Sequence, residues 1–272
     1  MINYGKHFID QNDVKAVTNV LKSGALTQGK YIELFEKNLT KYFGSKYACV
    51  VSNATCALYL LAEILEWKKK DIIFCSPMTF LAGSNSVIKQ GATPYFIDID
   101  KNYYTIDLNK LEDELKNNKV REKAKAIIAT DYAGQPCDWK NLRYLSDKYE
   151  LKLINDNCHA LGASYFGKKT YASKYADYVI QSYHAVKNFT TGEGGSILTN
   201  DKNTIEKFRL MRTHGILKDE KKKKKHGNWY YDMISFGYNF RMTDLQAALG
   251  MSQLKKLDAF IEKRRILAKN YD

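Results

Sequence analysis

Apolar residues recur at helical spacing in residues 10–21, where Val14, Val17, Val20 and Leu21 form one stripe ended by Ser23-Gly24. Residues 31–43 repeat the pattern with Ile32, Leu34, Phe35 and Leu39 before Gly44. Short apolar runs at 47–51, 72–75, 94–98, 126–130, 151–154, 177–181 and 196–199 predict buried strands. Helical patterns at 55–65, 80–90, 108–116, 139–149 and 204–212 separate most of them. An aromatic-rich turn at 229–240 leads to one long predicted helix over 243–269, capped by Thr243-Asp244. Strands alternating with helices predict crossover units and a mainly parallel sheet covered on both faces. Such sheets bind ligands at the carboxyl ends of their strands.

Composition narrows the classes. The chain has 272 residues, room for one large domain and a small second one. Its net charge is +13, and residues 218–225 hold six lysines interspersed only with Asp219 and Glu220. Without aromatic residues for base stacking, this block predicts a solvated loop and no nucleic-acid partner. The overall positive field still favours phosphate-bearing ligands. No apolar run reaches membrane-spanning length, and the first residues lack a basic-then-apolar signal layout; a cytoplasmic protein is expected. Five cysteines, none in a C-x-x-C pair, predict reduced and mostly buried thiols, and no metal site is expected.

Five clusters carry candidate chemistry. Ser182-Tyr183-His184-Ala185-Val186-Lys187 leaves a predicted strand and runs into Gly192-Glu193-Gly194-Gly195, offering a fixed amine and a hydroxyl suited to a phosphate. By itself Lys187 also fits a surface lysine. Asp156 ends an apolar strand, three residues before His159, and a carboxylate so placed needs a positive partner. A helix cap and a satisfied core histidine fit those two residues equally well. Asn53-Ala54-Thr55 stands between a strand and a helix, so backbone N–H groups and the helix dipole would face an anion; a plain cap is the simpler reading. Phe80 follows another strand and could lie on an aromatic ring or in the core. Gly237-Tyr238-Asn239-Phe240-Arg241 sets an amide and a guanidinium beside a helix start, suited to phosphate or carboxylate.

Together, the order and spacing of these clusters resemble the DegT/DnrJ/EryC1/StrS sugar aminotransferases from about Asp10 to the last helix. Ser182-x-His184-x-x-Lys187, Asp156-x-x-His159-x-x-Gly162-Ala163, Gly237–Arg241 and Leu26-Thr27-Gln28-Gly29 carry the likeness. Asp10–Asp13, His214-Gly215-Ile216, Tyr231-Asp232-Met233 and Gln253–Phe260 narrow it to a pseudaminic-acid branch. The resemblance implies an aspartate-aminotransferase-like α/β large domain over 1–240, with a seven-stranded sheet. It implies that 241–272 leads toward a small C-terminal domain, largely missing at this length.

It further implies pyridoxal 5'-phosphate as cofactor. Lys187 would be the catalytic amine, Phe80 would stack on the ring, Asp156 would pair with the ring nitrogen, and His159 would lie near the ring or its phenolic oxygen. Ala54, Thr55 and Ser182 would hold the phosphate with Asn239 of a second subunit, making a homodimer with shared sites. Leu26, Thr27, His184 and Arg241 would contact substrate. The implied reaction moves an amino group from glutamate to a 4-keto-6-deoxy, UDP-linked sugar. A sugar 3-dehydratase of the same fold carries histidine in place of the lysine, so Lys187 argues against it. A truncated remnant that binds cofactor and dimerises without turnover is the other alternative. Asn155 and Asn157 depart from the acidic and small residues common beside Asp156 in that family.

Overall fold

In the computed structural model, which describes residues 5–217, 220–227 and 229–271, the predicted alternation forms one sheet clothed in helices. In chain order the elements are α1 (Gln11–Leu21), α2 (Lys30–Phe43), β1 (Tyr47–Val51), α3 (Ala54–Ile64), β2 (Ile72–Cys75), α4 (Ala82–Lys89) and β3 (Thr93–Phe96). Then come α5 (Leu108–Lys116), α6 (Asn118–Arg121), β4 (Ala124–Thr130), α7 (Trp139–Lys148), β5 (Lys152–Asp156), α8 (Tyr171–Tyr175), β6 (Tyr178–Ser182) and β7 (Gly195–Thr199). They are followed by α9 (Lys202–Met211), β8 (Ile216–Leu217), α10 (Glu220–His226), β9 (Asp232–Met233), α11 (Asp244–Leu254) and α12 (Leu257–Lys269).

The large sheet has the order β1-β7-β6-β5-β4-β2-β3. Only β7 runs against its neighbours, so the carboxyl ends of β1, β2, β4, β5 and β6 meet along one edge. Burial on both faces follows from the strand alternation. Leu153, Val179 and Leu198 pack with Phe35, Leu39 and Trp139 on one side. Ile154, Ile180 and Ile197 pack with Leu58, Leu61 and Phe208 on the other.

Three expectations are corrected. The long helix over 243–269 is two helices, α11 and α12, because the turn at Lys255-Lys256 carries Lys256 to the carboxylates of Asp10 (3.1 Å) and Asp13 (2.5 Å). The inward face of α1 is not the full valine–leucine stripe. Val14 and Leu21 are exposed, whereas Asp13 is fully buried, bound by Lys256 and by Gln253 at 2.7 Å. Leu34 of α2 is likewise exposed. The lysine-rich loop is helical over Glu220–His226, as its strong helix formers allow, and Lys222 pairs with Asp232 at 2.7 Å; Lys218 and Asp219 lie outside the described residues. All five cysteines are free, with Cys49, Cys75 and Cys137 buried and Cys56 and Cys158 partly so. No helix among the described residues is long and apolar enough to cross a membrane.

Candidate active site

The site begins where β1 gives way to α3. Asn53 caps α3 by accepting the Cys56 N–H at 2.9 Å. The N–H groups of Ala54 and Thr55 precede the first helical acceptor and have no protein partner among the described residues. They stand at the positive end of an eleven-residue helix. Gly195 explains how this end reaches the neighbouring strands. It sits in register between Val51 and Ser182, and a Cβ there would fall 2.4 Å from the Ala54 nitrogen. The missing side chain lets the start of α3 close on β7, where Gly195 pairs with Ser182 of β6. The two N–H groups there are suited to serve as an anion cradle.

Two strands away, β5 ends at Asp156, which is 6% exposed. Its carboxylate accepts the Cys158 N–H at 3.2 Å, and no cationic side chain among the described residues lies within ion-pairing distance. His159 is half-buried in the following turn. Lys187 enters from the adjacent loop, where its N–H bonds the His184 carbonyl at 2.9 Å. Asn188 ties that loop to the Asp156 segment by donating to the Leu161 carbonyl at 2.7 Å.

Burial holds the His159 imidazole below its usual range; the Lys187 ammonium adds to this and Asp156 opposes it. The same two charges act on Cys158, whose thiol burial pushes well up and Asp156 pushes further. A cleft of about 250 Å³ beside Lys187 is lined by Lys6, Phe8, Phe260 and Arg264 among others; Asp156 is not part of its wall. Phe80 is 67% exposed at the carboxyl end of β2, and its turn is tied to β4 by the Thr130 hydroxyl donating to that of Thr79 at 3.2 Å. In β4, Thr130 is the register partner of Asp156.

The remaining candidates lie in a second group. The Leu26 carbonyl accepts the Asp244 N–H at 2.9 Å, and Thr27 bridges Thr243. Asn239 is exposed and bridges Thr213. The next carbonyl, that of Phe240, accepts the Ser52 N–H at 2.9 Å, just before the anion cradle. Arg241 lines a separate cleft of about 790 Å³ with Gln28, Arg209 and Arg212. The His184 Nε2 stands 3.8 Å from the Glu193 carboxylate. No hydrogen bond among the described residues joins Leu26, Thr27, Asn239 or Arg241 to Lys187 or Asp156.

The sequence reading overlooked one carboxylate, Asp131, and gave another, Asp244, the role of helix cap beside Thr243, whereas the cap of α11 is Thr243. Asp244 is fully buried and caps α2 from a distance, accepting the N–H groups of Gly29 (2.8 Å) and Tyr31 (3.0 Å). Asp131 is fully buried just past β4. The signal for Asp131 was its place after an apolar run, the same signal that singled out Asp156.

A lysine in the loop after β6, a buried carboxylate ending β5 and the N–H groups at the start of α3 are the donor types used by pyridoxal-phosphate enzymes of the aspartate-aminotransferase fold. The donor set fits that cofactor: N–H groups and a hydroxyl for its phosphate, a carboxylate for its ring nitrogen, an amine for its aldehyde. The sequence matches the DegT/DnrJ/EryC1/StrS aminotransferase family over residues 7–272, and the chain belongs to that family. It is 43% identical, over all of its length and 69% of the other's, to a UDP-4-amino-4,6-dideoxy-N-acetyl-beta-L-altrosamine transaminase of Campylobacter jejuni. Its fold is similar to that of Helicobacter pylori PseC, an aminotransferase in the biosynthesis of pseudoaminic acid. The TM-score is 0.89 and the identity 36%, over 99% of this chain and 69% of that one. A putative sugar aminotransferase of Streptococcus pneumoniae in its PMP form gives a TM-score of 0.91 at 30% identity, over all of this chain and 72% of that one.

Proposed function

We propose that the protein moves an amino group from glutamate to the 4-keto carbon of a UDP-linked 6-deoxy sugar, in the manner of the pseudaminic-acid transaminases it resembles. The observation that carries this reading is the 43% identity, over the whole chain, to a UDP-4-amino-4,6-dideoxy-N-acetyl-beta-L-altrosamine transaminase. When bound, pyridoxal phosphate supplies an electron sink for the carbon that loses or gains the amine.

The chain's own residues do the rest. Ala54, Thr55 and Ser182 anchor the phosphate. Asp156 is the negative partner that keeps the ring nitrogen protonated, and a buried carboxylate with no cation of its own is suited to that role. Phe80 covers one ring face. Lys187 would be the amine that holds the cofactor and, once free, would carry a proton to and from the substrate carbon as general base and acid. His159, uncharged at neutral pH, borders the ring without competing for Asp156.

A second subunit completes the site in this reading. Met233, Ile234 and Phe236 are exposed on the segment that carries Asn239, an apolar surface suited to burial against another copy. Leu26, Thr27, His184 and Arg241 are the substrate contacts, and the enzyme works in the cytoplasm.

Incubation with pyridoxal phosphate and borohydride, followed by peptide mass mapping, tests the assignment. The cofactor mass is expected on the peptide containing Lys187. Labelling confined to other lysines would sink it. Amino transfer from glutamate to a UDP-4-keto-6-deoxy sugar should show parallel-line kinetics; intersecting lines count against it.

A further inference from the structure

The carboxylate of Asp131 receives five donors. Its Oδ1 accepts the Cys137 N–H and the Trp139 indole N–H, both at 2.9 Å. Its Oδ2 accepts the amides of Asn155 (3.1 Å) and Asn157 (3.0 Å) and the Tyr171 hydroxyl (2.6 Å). Asn155 and Asn157 flank Asp156, so strand alternation turns their side chains to the face opposite its own. The Asp131 N–H also bonds the Asp156 carbonyl at 3.2 Å.

The polar band continues sideways. Gln181 donates to the Asn157 side-chain oxygen Oδ1 at 3.4 Å, and Tyr183 donates to the Gln181 side-chain oxygen at 2.9 Å. Gln181 and Tyr183 flank Ser182 as the two asparagines flank Asp156. Each anchoring group thus lies behind a residue of the cofactor site.

We propose that Asp131 is a positioning residue: through Asn155 and Asn157 it locks the end of β5, so that the Asp156 carboxylate stays aimed at the ring nitrogen. This rests on the cofactor reading above. The convergence of four N–H donors favours the ionised form, since a protonated oxygen would face N–H groups with a proton of its own. Burial raises the Asp131 pKa, and the bonds from Tyr171, Cys137, Asn157 and Asn155 oppose that rise. Cys137 and Tyr171 are the titratable groups against it, and its negative charge helps push both well upward, so neither competes for the proton at neutral pH. The two asparagines also acquire a reason. A buried carboxylate on β4 calls for neutral donors on β5, where a second acid would repel it.

The test compares wild type, Asp131→Asn, Asn155→Ala, and the exchange pair Asp131→Asn with Asn155→Asp. Pyridoxal-phosphate affinity, the pH midpoint of the visible cofactor band, and hydrogen exchange of the cofactor-free protein are measured. Asp131→Asn and Asn155→Ala are expected to weaken cofactor binding about ten- to a hundredfold, as loss of outer supports does at bound metals. They should shift the band's midpoint upward, since a ring nitrogen without its proton withdraws less charge, and speed exchange at residues 156–158 but not in β1. The exchange pair restores one acid–amide contact and should recover part of each loss. Unchanged midpoint and exchange in Asn155→Ala, a milder change than the loss of a buried charge, would overturn the proposal. So would faster exchange spread evenly over the sheet. Wild type that never acquires the band would instead overturn the cofactor reading, leaving exchange to judge Asp131.

Discussion

Lys187 contributes an amine that a guanidinium cannot replace, because arginine does not give up its proton in a protein. Lys187→Arg is expected to keep the fold and lose about 10²–10⁴-fold in turnover, the range of a general acid–base group. Single-turnover assays with cofactor supplied in excess would measure it; a loss below tenfold would remove the role.

His159 offers a test by pH. Its folded pKa lies below the ordinary 6.5, chiefly through burial. The unfolded chain therefore takes up the proton first as pH falls. The stability this ring contributes is full above about pH 6.5 and is lost as pH drops toward the lower folded value. Melting temperatures from pH 5 to 7.5 should fall more steeply on the acid side in wild type than in His159→Gln. Equal slopes would show that this ring is not desolvated.

The elements are held by charges that periodicity does not display. Glu36 of α2 joins Arg212 (2.8 Å) and Arg209 (3.2 Å) of α9, and it accepts the Val50 N–H of β1 at 3.1 Å. Glu36→Ala strands the Arg212 side chain, which is 14% exposed, and should cost about 3–5 kcal/mol in urea unfolding. Asp244→Ala uncaps α2 and releases two N–H groups, which should cost about 1–2 kcal/mol by the same measurement. Because the Asp244 carboxylate holds Gly29 at the end of the Leu26-Thr27-Gln28 loop, the variant should also raise KM for the sugar acceptor more than for the donor; matching rises would separate that loop from sugar binding.

This scale also shows how far the sequence was readable. Strand alternation at Leu153–Ile154 and Val179–Ile180, and the glycines after Lys187, follow from local rules, and the sheet and the position of the loop between β6 and β7 were legible through them. The break at Lys255-Lys256 was not, because its cause is a pair of aspartates some 240 residues away in the chain. Asp131 read as one more polar residue after a strand, since its partners come from three later elements. Val14 and Leu21 misled because a helix resting on a lysine–glutamine pair can bury an aspartate and leave valine outside.

At the scale of the molecule, the second group of candidate residues needs an explanation, because Asn239 has no bond to Lys187 or Asp156 within one chain. In the proposed reading a two-fold dimer supplies it. Each segment 233–241 would cross to the partner, covering Met233, Ile234 and Phe236 and bringing Asn239 to the other phosphate. Two variants make this decisive. Lys187→Ala removes the amine of its own site, and Asn239→Ala removes the amide it lends. Neither homodimer should turn over at the normal rate. In a one-to-one mixture that has exchanged subunits, half of the dimers are mixed, and each mixed dimer contains one site with both residues intact. The mixture should therefore recover about a quarter of wild-type activity per site, as the symmetry of a closed dimer requires. If Asn239 served the site of its own chain, the mixture would give only the average of the two variants, and the shared site would be excluded.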